Sequence, residues 1–128
     1  MSYTILIIDG QVAVRQIVQH ALHKAGYKTT IVDNATQAMI AIEQQKPDAI
    51  IMDDQLEDMS GGKLCRQIKN ESKTQHIPIV MHSQGLRMIN PEYVKATGAD
   101  VALTKPVAVE VVLKAVRSVL RSTSVVQG

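Results

Sequence analysis

The sequence predicts an α/β fold, a doubly wound five-stranded parallel sheet with five helices. Three observations predict it. Strand-sized apolar runs alternate with longer stretches whose apolar residues recur every three or four positions. The connections between them are short and carry Gly, Pro, Asn or Asp. The run Ala49-Ile50-Ile51-Met52 is apolar at every position, as a central parallel strand covered on both faces requires.

The elements follow in order. Tyr3 to Ile8 is a first strand that stops at Asp9-Gly10. Val14, Ile17, Val18, Ala21, Leu22 and Ala25 then give a helix its inward stripe, with Gly26 placed as a left-handed cap. Lys28 to Val32 is a second strand. Asp33 or Asn34 caps the next helix, whose inward residues are Ala35, Ala38, Met39 and Ile42. Pro47-Asp48 introduces the central strand, and after Gly61 a third helix carries Leu64, Cys65 and Ile68 on one face. Ile77 to Met81 is a fourth strand, with Pro78 near its start where a missing ladder donor is tolerated. His82 to Asn90 is polar, contains Gly85 and reads as a mobile loop. Asn90-Pro91 starts a short helix that Gly98 stops. Val101 to Leu103 is the fifth strand. The last helix is expected from Val107 to Arg121, with Val109, Val112, Leu113, Val116 and Leu120 inward. Residues 1–121 thus form one domain, and 122–128 a patternless tail or the start of a linker.

Composition narrows the function. Phe and Trp are absent, so the core is built from Ile, Val, Leu, Met and Ala. A net charge of +2 without any Lys/Arg run gives no footprint for direct nucleic-acid binding. The apolar stretches are too short to span a membrane, and Met1-Ser2-Tyr3 leads into a strand rather than a signal peptide. The single cysteine, Cys65, excludes an internal disulfide and fits a reducing compartment, so a cytoplasmic location is expected.

The chemistry gathers at strand ends. Asp9, Asp53, Ser83 and Lys105 fall where four successive parallel strands stop, the edge at which open α/β sheets bind ligands. Singly, the two aspartates could cap helices and Lys105 could tie loops together; jointly they predict a functional crevice. Asp53 ends the most buried strand, so its carboxylate needs a cation, a hydrogen-bond donor or a proton.

From Thr4 to Arg121 the chain resembles the receiver domain of bacterial two-component response regulators. The motifs are Ile-Leu-Ile-Ile-Asp9, Gly26-Tyr27, Asn34-Ala35, and Pro47-Asp48 followed by Asp53-x-x-Leu56-x-x-Met59-x-Gly61. They continue with Pro78-Ile79-Val80-Met81-His82-Ser83, Gly98-Ala99-Asp100 and Lys105-Pro106. The resemblance implies the flavodoxin-like receiver topology and a signalling module rather than an enzyme. It implies that Asp53 accepts a phosphoryl group from the phosphohistidine of a sensor histidine kinase or phosphotransfer protein. Leu56 and Gly61, three and eight residues on, favour Asp53 over Asp54 in the family's register. Mg²⁺ would be held by Asp9, Asp53 and the backbone carbonyl of Gln55. Lys105 would contact the phosphoryl oxygens, Ser83 would be the switch hydroxyl, and Lys105-Pro106 would be cis. The fourth helix, fifth strand and fifth helix would form the surface for a homodimer or an effector domain.

Departures from the family pattern shape the expectations further. Gly10 stands where the family has a second acid, which predicts weakened Mg²⁺ binding. Glu57 replaces a frequent Pro, Ser60 a common Asp, and Ala102 the usual aromatic switch residue. The alternative to a phosphorylation switch is a pseudo-receiver, a protein-interaction module working without phosphate. Asp54, Glu57 and Asp58 are expected in solvent rather than as substitute ligands. Phosphatases with an Asp nucleophile need an acid that Asp9-Gly10-Gln11 lacks, and dinucleotide binding lacks its glycine turn. His20, His23 and His76 suggest no metal site; His82 reads as a neutral, hydrogen-bonded histidine at the edge of the core. Cys65 reads as a buried small hydrophobe. The row Val111, Ala115 and Val119 on the last helix widens its buried face, or else serves a partner.

Overall fold

The computed structural model describes the backbone of residues 2–127 and the side chains of residues 2–122. Five strands are formed: β1 (Thr4–Ile8), β2 (Lys28–Val32), β3 (Ala49–Met52), β4 (Ile79–Ser83) and β5 (Val101–Thr104). They alternate with α1 (Val12–Lys24), α2 (Ala35–Gln45), α3 (Gly61–Asn70), α4 (Pro91–Thr97) and α5 (Val109–Gln127), and a 3₁₀ turn, Leu86–Ile89, precedes α4. The strand order is β2-β1-β3-β4-β5 and every pairing is parallel. The chain therefore steps from β1 out to β2, then back across β1 to β3. That reversal opens a crevice outside the carboxyl ends of β1 and β3.

Alternation along the strands divides the core in two. Leu6, Ile8, Ile50, Met52, Ile79 and Met81 face α2 and α3, where Ala38, Ile42, Leu64 and Ile68 close over them. Ile5, Ile7, Ala49, Ile51 and Val80 face α1 and α5, against Val18, Leu22, Val112 and Val116. β3 contributes to both layers and is buried throughout. Burying each large aliphatic side chain contributes about 1.5–3 kcal/mol, so the sheet is held by its centre.

Local chemistry sets the element ends. Gly26 and Gly98 adopt φ of 95° and 80°, the left-handed conformation that stops α1 and α4. Asn34 caps α2 by accepting the Gln37 N–H, and Asn90 caps α4 ahead of Pro91.

Several boundaries and faces differ from expectation. β4 runs two residues further than Met81, because Ser83 pairs with Thr104 and its carbonyl accepts the Lys105 N–H at 2.8 Å. The expected loop from His82 to Asn90 thus begins as strand and contains the 3₁₀ turn. α5 starts at Val109 and continues to Gln127 instead of stopping at Arg121; Gly128 lies outside the described residues. Ile17 on α1, Ala25 just after it, and Met39 on α2 are exposed, while Ala41 takes the inward position on α2. These helices lie against the sheet along a narrower stripe than the apolar spacing offers. On α5, Ala115 and Val119 are buried and Val111 is exposed, so the second row mostly widens the buried face.

Candidate functional site

The backbone ladder carries the four strand ends to one place. The Asp9 N–H donates to the Val32 carbonyl at 3.1 Å, and the Asp53 N–H to the Ile8 carbonyl at 2.9 Å. With the Lys105 N–H on Ser83, the loops after β1, β3, β4 and β5 are fastened side by side. The Lys105-Pro106 peptide is cis, as the resemblance implied.

The side chains then meet. Lys105 Nζ lies 2.9 Å from Asp9 Oδ2, 2.9 Å from Asp53 Oδ2 and 2.6 Å from Gln11 Oε1. An ammonium has three protons, and all three are engaged. Ser83 Oγ donates to Asp53 Oδ1 at 2.5 Å, and the Gln55 N–H donates to the same oxygen at 2.9 Å. The Gln11 N–H donates to Asp9 Oδ1 at 2.8 Å. Asp9, Asp53, Ser83 and Lys105 are all buried, at 2, 1, 0 and 7% exposure. The predicted constellation is assembled in full: two carboxylates, one hydroxyl and one ammonium. Gln11 belongs to it as well. Sequence reasoning passed over it, although a polar residue two positions after a strand-end Asp was the available signal.

Beside this pit lies a second polar cluster that the sequence did not suggest. Asp54 is fully buried, not solvated as expected. Its Oδ1 accepts the Tyr93 hydroxyl at 2.6 Å and the Gly62 N–H at 2.8 Å. Its Oδ2 makes no hydrogen bond of good geometry and is met by an Arg87 guanidinium nitrogen 3.0 Å away. Arg87 also sits over the Tyr93 ring, 5.1 Å from its centroid. Burial first, then the hydrogen bond to Asp54, pushes the Tyr93 phenol up from its ordinary value, which keeps it a donor. The glycines opening α3 make the room. A Cβ on Gly62 would come 2.4 Å from the Tyr93 hydroxyl oxygen, and one on Gly61 2.1 Å from the Asp53 carbonyl oxygen.

Asp58 is exposed but is not an idle loop carboxylate. It accepts the Ala35 and Thr36 N–H groups and the Thr36 hydroxyl at the start of α2. Those bonds, the one from Ala35 foremost, lower its pKa to about 2. Glu57 remains exposed.

The histidines separate cleanly. His20, His23 and His76 are exposed, and His23 Nε2 contacts the Thr29 hydroxyl at 2.7 Å. His82 is buried, but the hydrogen-bonded histidine expected there is only half right: its Nδ1 has no partner among the described residues. Burial, and then the Lys105 charge, push its pKa down, so it stays neutral. Burial pushes the Cys65 thiol up to about 11, in keeping with a packed small hydrophobe. Among the described residues no three His, Cys, Asp or Glu side chains gather as a metal cage; the pit offers two carboxylates.

The family model for the response regulator receiver domain matches residues 5–117. The chain belongs to that family. This receiver domain is 35% identical over 120 residues, 94% of its length, to the phosphate regulon transcriptional regulatory protein PhoB of Pseudomonas aeruginosa, covering 52% of that protein. It is 30% identical over its whole length to the response regulator MprA of a Mycobacterium species, covering 55% of it. The chain thus spans about half the length of the curated relatives it matches. Among solved structures, the chemotaxis response regulator CheY4 of Vibrio cholerae superposes with a TM-score of 0.85 at 27% identity, over 93% of this chain and 99% of that one. The signal receiver domain of a signal transduction histidine kinase from Syntrophus aciditrophicus does so at 0.85 and 28%, over 94% and 92%. These relatives favour a phosphoryl-accepting signal receiver over the phosphorylation-independent module.

Proposed function

We propose that Asp53 is the phosphoacceptor of this receiver domain, with Lys105 and Ser83 as the groups that receive the phosphoryl oxygens. The observation that carries the reading is the double capping of one buried carboxylate, Lys105 Nζ on Oδ2 and Ser83 Oγ on Oδ1. Each donor can pass from a carboxylate oxygen to a phosphoryl oxygen. Attack by an Asp53 oxygen on the phosphorus of a phosphohistidine forms the O–P bond and breaks the P–N bond, and the departing imidazole takes up a proton. The developing charge on the equatorial oxygens then faces the Lys105 ammonium beside Asp53, and the Ser83 hydroxyl re-seats from the carboxylate onto a phosphoryl oxygen. Gln11 and Asp9 hold Lys105 from the other side, which orients it toward Asp53.

Mg²⁺ fits the residues present, weakly. Asp9, Asp53 and the Gln55 carbonyl would hold it, with water completing the shell, since one or two carboxylates suffice for this ion. Bound there, it would neutralise charge on the phosphoryl oxygens. Its competitor is built in, because each oxygen of Asp9 and Asp53 already has a protein donor. Space for a further acid exists: a Cβ on Gly10 would meet nothing nearer than the Asp33 carbonyl oxygen at 3.8 Å.

The donor is a phosphohistidine on a sensor kinase or phosphotransfer protein, encountered in the cytoplasm. The output passes through α4, β5 and α5 to an effector domain or a second copy. β5 is an edge strand with Ala102 exposed, and Val111 stands exposed on the adjoining helix. Incubation with a small-molecule phosphodonor across a Mg²⁺ titration tests the reading. The expected result is a mass gain of one phosphoryl group that rises into the millimolar range of Mg²⁺. No gain at any Mg²⁺ concentration would overturn it.

A further inference from the structure

We propose that Asp54 is a positioning residue that couples the Asp53 site to the exposed turn Leu86–Ile89, through Arg87 and Tyr93. The proposal takes the origin of the signal from the phosphoacceptor reading above, but the coupling itself rests on geometry. Asp54 follows Asp53 directly, and its own carbonyl accepts the Gly61 N–H at 2.7 Å and the Leu56 N–H at 3.2 Å. Its main chain is therefore fixed to the loop that carries the acceptor. Its side chain grips the other partner: Arg87 on the 3₁₀ turn and Tyr93 on α4. Between these two grips runs the segment that starts at Ser83, whose hydroxyl rests on Asp53.

The turn is unusual on its outer side. Leu86 is 84% exposed and Ile89 70%, an apolar pair flanking Arg87 and Met88, whose side chain is buried. A phosphoryl group on Asp53 places its oxygens beyond the carboxylate, so the Ser83 hydroxyl must re-seat to reach one. Arg87 lies four residues further along the same segment, and its guanidinium meets Asp54 Oδ2 at 3.0 Å from a side chain that is 54% exposed. That solvent-facing side of the ion pair is the point at which the segment can let go. Releasing it frees Arg87, unloads the Tyr93 hydroxyl, and changes how Leu86 and Ile89 are presented. Ala102 on β5 brings no aromatic ring that could move with the Ser83 hydroxyl. Asp54 and Tyr93 supply the link from the α3 side instead. A ligand shifts such an equilibrium only by its different affinity for the two arrangements, so the coupling is reciprocal.

The test uses methyl NMR of Leu86 and Ile89 in the full chain, with beryllofluoride as the phosphoryl mimic. Tyr93→Phe deletes only the hydroxyl. It should move both methyl signals toward their beryllofluoride-bound positions and tighten beryllofluoride binding about fivefold or more. A purely structural Asp54 cluster would lower the urea midpoint of Tyr93→Phe but leave the affinity and the bound-state direction of the signals unchanged; that outcome overturns the proposal. Asp54→Asn is the harsher variant, and Tyr93→Phe and Arg87→Ala stand if it does not fold. Should the wild-type chain bind no beryllofluoride, the phosphoacceptor reading falls, and the coupling is then decided without it. Leu86 and Ile89 shifts in Ser83→Ala, Tyr93→Phe and the double variant should be non-additive. Additive shifts would refute the coupling in that case.

Discussion

Replacing Lys105 with methionine removes the one charge that separates two buried carboxylates while keeping an unbranched stem of similar length. Lys105 Nζ is 2.9 Å from an oxygen of each aspartate. At an effective dielectric near 20, each contact is worth about 6 kcal/mol gross. Repulsion between the aspartates and the cost of burying all three charges offset much of this. Measured losses on removing one partner of a buried pair are about 3–5 kcal/mol, because the remaining charge is left uncompensated. Lys105→Met should therefore lower unfolding stability by about 3–5 kcal/mol in the absence of divalent cations. With no Trp in the chain, urea unfolding is best followed by circular dichroism. The same vacancy should let Mg²⁺ take the place of the ammonium. At a hundredfold excess over its dissociation constant it would restore about 2.7 kcal/mol. A loss below about 1 kcal/mol, the range of exposed pairs, would mean that Lys105 is not holding the two carboxylates together. Unchanged Mg²⁺ dependence of stability would refute the competition between ammonium and cation.

Further outcomes follow from the same geometry. Gly61→Ala forces a Cβ into the Asp53 carbonyl, 2.1 Å away, and should cost about 1–3 kcal/mol in urea unfolding while disturbing the acceptor loop. His82 has a folded pKa pushed below its ordinary 6.5, so the unfolded chain takes up a proton that the folded one refuses. Its contribution is intact above pH 6.5 and stability falls as the pH drops below that value; His82→Leu should flatten the urea midpoint between pH 7 and 5.5. Gly10→Asp adds a carboxylate in open space and should tighten Mg²⁺ binding in calorimetry, whereas unchanged affinity would mean that the missing acid is not what weakens the site. Cys65 is fully buried with its thiol pKa near 11, so a thiol reagent should modify it only as fast as the chain unfolds.

The sheet was legible because its strands carry two different signals. β3 was read to the residue, since an apolar run between Pro47-Asp48 and a pair of acids admits little else. The site was legible for a topological reason: parallel strands deliver their carboxyl ends to one edge, so strand-end polar residues meet whatever lies between them in sequence. What escaped were features set by contacts distant along the chain. Asp54 looked like one more acid in the run Asp53 to Asp58, and nothing local announces that Arg87 and Tyr93 close over it. The one local hint was Gly61-Gly62, two side-chain-free positions opening a helix beside it. The polarity of His82 and Ser83 hides the end of β4 from apolar patterning, yet pairing with Leu103 and Thr104 carries both into the strand. The end of α5 carries no apolar spacing past Arg121, and its continuation to Gln127 was invisible to a reading based on periodicity.

The most direct measurement locates the modified residue. After treatment with a phosphodonor and Mg²⁺, borohydride reduction converts an acyl phosphate into a stable mark that peptide mass mapping can place. The account predicts the mark at Asp53 alone, and none anywhere in Asp53→Ala. A mark at Asp54 or Asp58, or undiminished labelling of Asp53→Ala, would contradict it.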